Sequence, residues 1–168
     1  MGTNMMWRRK GLLTACVAVA LGITVLEGHT TQPHLLSPDP RHHVITDPGS
    51  GLALFGYDPV AYHNEHAARP GLAVHEARFD DRVWRFVSAA NKAAFEADPL
   101  VYIPLFGGHD GHSVGNGTLT KGDPANFVLI GGRLVLFRTE KDRDLFAADS
   151  AIRQKARENW PQLVRQLA

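Results

Sequence analysis

The stretch NFVLIGGRLVLF, residues 126–137, constrains the fold most. Two apolar runs flank Gly131-Gly132, a pair able to take the positive φ values of a type I′ turn, so the segment predicts a β-hairpin. A second hairpin is predicted upstream. In AVHEARFDDRVWRFVS, apolar and polar residues alternate on both sides of Asp80-Asp81, placing strands at Val74 to Phe79 and Val83 to Val87. Helix signals lie between and after the hairpins. Asp58-Pro59 is a cap followed by proline at the first helical position, predicting a short helix from Pro59 to about Glu65. Ser88 caps AANKAAFEA, which ends near Asp98-Pro99, and PLVYIPLF supplies another helical turn. Thr139 caps a helix running towards Asp149, and a last helix follows, with Pro161 a potential kink. Strands and helices in uneven order predict a single α+β domain, a small antiparallel sheet of hairpins with short helices packed on it.

That domain is expected over residues 51–168. Upstream, Arg8-Arg9-Lys10 precedes sixteen largely apolar residues, Gly11 to Leu26. This pattern predicts a signal peptide or N-terminal membrane anchor over residues 1–26, short of the about 20 residues of a full span. The basic end should stay cytoplasmic, so the domain is expected to be exported, periplasmic or extracellular. Ala18-Val19-Ala20 offers a small-x-small cleavage site. The LTAC stretch has the form of a lipoprotein box, but its apolar run follows Cys16 instead of preceding it. Residues 27–50 read as a Pro/His-rich linker, with Pro33, Pro38, Pro40 and Pro48 and the histidines His29, His34, His42 and His43.

Charge and cysteine usage exclude several functions. Residues 27–168 carry 15 basic and 17 acidic side chains without a basic stripe, which argues against nucleic-acid binding. Cys16 is the chain's single cysteine, so the domain has no disulfide, thiolate metal site or cysteine nucleophile. The glycine-rich FGGHDGHSVGNG, residues 106–117, lacks both G-K-[ST] and a G-x-G-x-x-G pattern following a strand, so it is a poor phosphate loop. Asp110, His112 and Ser113 have the residue types of a hydrolase triad, but neighbours so close in sequence rarely reach nucleophile-base geometry, and no G-x-S-x-G is present. No coherent catalytic set emerges.

The segment VWRFVSAANKAAFEADPLVY resembles the YHS domain family. Trp84, Phe86, Ser88, Phe95, Pro99 and Tyr102 match the spacing of its aromatic-x-Phe-Cys-Ser-x-x-Cys-x-x-x-Phe-x-x-x-Pro-x-x-Tyr fingerprint. GYDPVAYH and FGGHDGHSVGNGTLTKGDP resemble further motifs of its longer, exported members, so the resemblance covers about residues 52–163. Metal-binding relatives have cysteines where this chain has Ala61, Val87 and Asn91, and exported relatives often have Tyr-Cys where it has His109-Asp110. A sulfur site is therefore not expected here.

Imidazole and carboxylate could take its place. His63 and His66 lie three apart on the predicted first helix, and His109, Asp110 and His112 share one loop. If these converge, they suit a transition metal ion: zinc, copper(II), nickel or iron. The expected function is an exported, non-enzymatic YHS-like binding module holding such an ion. The alternatives are a metal-free structural or interaction domain acting through a protein partner at or near the membrane, or an accessory subunit of a redox or metal-handling system. The membrane is expected to be touched through the N-terminal segment alone.

Overall fold

The computed structural model describes residues 43–167, so the leader and most of the expected linker lie outside the described residues. The fold is α+β as expected, and among the described residues the hairpins form two two-stranded antiparallel sheets. Strand β1 (Leu72–Phe79) pairs with β2 (Arg82–Phe86), and β3 (Asp123–Ile130) pairs with β4 (Arg133–Phe137). Six helices accompany them among the described residues: α1 (Ala61–Asn64), α2 (Ala89–Ala97), α3 (Pro99–Tyr102), α4 (Gly111–Gly115), α5 (Glu140–Ala148) and α6 (Ser150–Leu163).

Local chemistry places most of these elements. Ser88 and Thr139 each accept a backbone N–H at the third helical position, from Asn91 and Asp142, and so start α2 and α5. Gly131 and Gly132 take φ of 57° and 73°, as the hairpin turn requires. Asp80 and Asp81 take φ of 51° and 57° in the equivalent turn, a region that aspartate tolerates better than most side chains. Pro161 lies inside α6 without ending it, and the helix continues to Leu163. The second half of the glycine-rich stretch is also helical. There Asp110 accepts from Ser113 N–H and starts α4.

The two halves of the domain repeat one plan. Each opens on a 3₁₀ turn with three successive positive φ values: Leu54, Phe55 and Gly56, then Phe106, Gly107 and Gly108. Each continues through a short helix, a hairpin and a capped nine-residue helix. The hairpins share their irregularity. Leu72 pairs with Phe86 and Glu76 with Arg85, just as Asp123 pairs with Phe137 and Phe127 with Leu136, so both first strands bulge at the same place. Gly71 donates its N–H to Gly56 O and Gly122 donates to Gly108 O, at 2.9 and 3.1 Å. A Cβ on either glycine would lie within 2.7 Å of neighbouring backbone. The chain is thus an internal tandem repeat, offset by 51 to 52 positions.

Packing distinguishes the copies. In the first hairpin, Ala77, Trp84 and Phe86 are buried, while Glu76 and Arg85 pair at 2.8 Å and remain partly exposed. The second hairpin is apolar on both faces. Leu134 and Leu136 join a core with Trp84, Phe86, Phe95 and Tyr62, while Val135 and Phe137 join another with Phe146, Ile152 and Trp160. A strand buried on both faces reads as a continuous apolar run, which is the pattern of residues 126–137.

Val44 and Ile45, expected within the linker, are instead core residues, 3% and 4% exposed. Ile45 donates its N–H to Gly107 O and accepts from Leu54 N–H, so this strap joins the positive-φ turns of both repeats.

Candidate functional site

Asp110 is fully buried, and its carboxylate is committed to the backbone. Oδ1 accepts from Ser113 N–H at 2.8 Å and Oδ2 from Arg138 N–H at 2.6 Å. The matching residue of the first repeat is Asp58, also fully buried. Its Oδ1 accepts from Val60 and Ala61 N–H, and its Oδ2 accepts from Val87 N–H and the Asn91 side-chain amide. In each repeat one carboxylate therefore ties the short helix to the residue just after the second strand. Buried backbone donors need such partners, and a charged acceptor strengthens each bond. This arrangement leaves Asp110 no solvent-facing oxygen for a metal ion.

The histidines have separate employments. His109 is 5% exposed, and its Nδ1–H donates to Phe106 O at 3.0 Å, which fixes Nε2 as the lone-pair nitrogen. Its ring lies 5.8 Å from those of both His43 and Trp160. Burial holds its pKa below the ordinary imidazole value; the Phe106 carbonyl pulls the other way, and His43 and Lys121 depress it further. His43 is depressed likewise, by burial and then by Arg82. His112 instead faces α5, with Nδ1 3.4 Å from Asp142 Oδ1.

His63 packs edge-on against Tyr102 of α3, with ring centroids 5.2 Å apart. Its Nε2 is a buried atom without a hydrogen-bond partner in the structure. Burial lowers its pKa most, and the positive charge of Arg133 and the nearby His66 lower it further. His66 lies beyond α1, exposed and at φ 52°. Lys121 near His109 and Arg133 near His63 place positive charge beside these two imidazoles, which opposes a cation there. Among the described residues no three His, Cys, Asp or Glu side chains gather in a group that could hold a metal ion.

Elsewhere the surface has shallow pockets. One of about 130 Å³ lies between the second 3₁₀ turn and α6, lined by Pro104, Leu105, Phe106, Arg133, Arg157 and Trp160. Its lining sets two arginines among apolar side chains. A second, of about 200 Å³, is polar and runs along α6 past Asn159 and Gln166. The pocket was not legible in the sequence, because Arg133 and Arg157 come from elements whose meeting no local motif announces. His43 was likewise hidden in a proline-rich context.

Among the described residues, no helix is long and apolar enough to cross a membrane. No family model, no curated protein and no solved structure matches the chain.

Proposed function

We propose that this chain is a non-enzymatic, YHS-like binding module that acts through its protein surface, in an exported setting and at or near a membrane. The loop bearing His109, Asp110 and His112 serves as an internal support and not as a metal centre. One observation carries this reading: Asp110 repeats the role of Asp58, each carboxylate accepting backbone N–H groups from both ends of its own repeat. A residue whose twin does the same work at a position without neighbouring histidines has a sufficient structural reason to be there. The separate partners of His109, His112 and His63 support the same reading. Among the described residues no acid, base and nucleophile are seen to converge, and an interaction role accounts for more of their geometry than an enzymatic one.

Metal analysis of the full chain, purified without an affinity tag, tests this reading. The expected result is substoichiometric zinc, copper, nickel and iron, unchanged by the double substitution His109→Ala with His112→Ala. Stoichiometric metal that disappears in the double variant would restore the metal centre.

A further inference from the structure

We infer that residues 43–46 form a proton-operated latch: when His43 and His109 both take up a proton, like charge drives the strap off the second 3₁₀ turn while the rest of the domain stays folded. This goes beyond the interaction reading and does not depend on it.

Geometry sets the two imidazoles across the seam that the strap closes. Their rings stack with centroids 5.8 Å apart and planes 30° from parallel. His109 is buried and His43 partly buried. Nδ1 of His109 already donates to Phe106 O, so an incoming proton goes to Nε2. Beside the rings the strap is held by few bonds. Ile45 N–H donates to Gly107 O at 2.8 Å, Leu54 N–H donates to Ile45 O at 3.0 Å, and Arg82 Nε–H donates to Val44 O at 3.2 Å. The missing side chain of Gly107 permits this approach, because a Cβ there would overlap His43 O. A short segment with so few ties opens at a lower free energy than the strands and helices of the core.

The charged groups around the pair set the direction. Arg82 of β2 lies near His43, and Lys121, whose backbone bridges to that of His109, lies near His109. The carboxylates of the neighbourhood are engaged elsewhere. Asp80 pairs with Arg82 at 2.9 Å, Asp47 accepts from Ser50, and Asp110 commits its oxygens to Ser113 and Arg138 N–H. Among the described residues no carboxylate bonds either ring. The Trp160 ring, tilted against His109 at 5.8 Å, is the neighbour that favours a charged imidazole. It serves one ring only, whereas two protonated rings would face each other and a fixed cation apiece. Burial chiefly, with these cations added, holds both rings below the ordinary 6.5 while the strap is closed. The closed strap therefore binds fewer protons than the lifted one. Its advantage is full above about pH 6.5 and fades as pH falls below that value.

The test is amide hydrogen exchange of the full chain by NMR at about pH 7.5 and about pH 5.5. It is read as protection factors, which remove the intrinsic pH dependence of exchange. Protection of the Ile45 N–H, bonded to Gly107 O, should fall about tenfold or more at the lower pH. Amides of the β3–β4 ladder should change far less. His43→Phe keeps a ring in the stack without a titrating nitrogen, and should keep the strap protected at both pH values. Lys121→Gln, at an exposed site, should move the release to lower pH. His66→Gln, at an exposed histidine beyond α1, should behave as the wild type. Unchanged Ile45 protection in the wild type, the same fall in His43→Phe, an unmoved release in Lys121→Gln, or an equal fall across the ladder would overturn the latch. Each of those results leaves the interaction reading standing, because that reading falls on metal content and not on proton uptake.

Discussion

His43 and His109 stack at the seam where the strap crosses the second 3₁₀ turn, and the His109 ring lies tilted against Trp160. Both rings, and that of His63, are held below the ordinary value of 6.5, chiefly by burial. The sign of the consequence follows from linkage. A base whose folded pKa is depressed contributes fully to stability above its unfolded pKa, and the contribution fades as pH falls through the folded value. The urea midpoint is therefore expected to drop between about pH 7.5 and about pH 5. His109→Gln should reduce that drop by removing one of the groups that must charge on unfolding. An equal drop in wild type and variant would show that His109 does not contribute. At this scale the sequence revealed residue types but not their duties. It marked His109, Asp110 and His112 as unusual, yet the bonds that employ Asp110 come from Ser113 nearby and from Arg138, 28 positions away. No local pattern announces the distant partner.

At the level of elements, the readable features were those set by local chemistry. The Ser88 and Thr139 caps, the Gly131-Gly132 turn and the stop before Pro99 each depend on a few adjacent residues, and each element lies within a few residues of its predicted position. The strap was not readable. Val44 and Ile45 lie in a proline- and histidine-rich stretch, and their burial depends on the distant turns they cross. Gly107 exposes that dependence. It takes φ of 58°, and a Cβ added there would lie 1.7 Å from His43 O. Gly107→Ala should therefore combine left-handed strain with a clash that lifts the strap, costing roughly 2 kcal/mol or more. Chemical denaturation would measure the loss, and limited proteolysis should cut the variant faster near residues 43–46. Wild-type stability and wild-type proteolysis would show that the strap is not held at Gly107.

Across the whole molecule, the two repeats share a core: Leu134 and Leu136 of the second pack with Trp84, Phe86 and Phe95 of the first. The Glu76–Arg85 pair puts charge on the exposed side of the first hairpin, alongside the exposed Leu72 and Val74 of the same sheet. The duplication escaped the sequence because few identities survive it. Asp58 with Asp110, Phe86 with Phe137 and Phe95 with Phe146 match, while Tyr57-Asp58-Pro59 stands against His109-Asp110-Gly111. Once the shared register is visible, Asp110 is the second copy of a structural carboxylate. Urea unfolding of Asp58→Asn and Asp110→Asn, each with and without a chelator, tests this most directly. Each amide places a donor against backbone N–H groups, so each variant should lose about 1–3 kcal/mol. Each should unfold in a single transition, and the chelator should change nothing. Wild-type stability in Asp110→Asn, or a wild type that the chelator destabilises, would contradict the account.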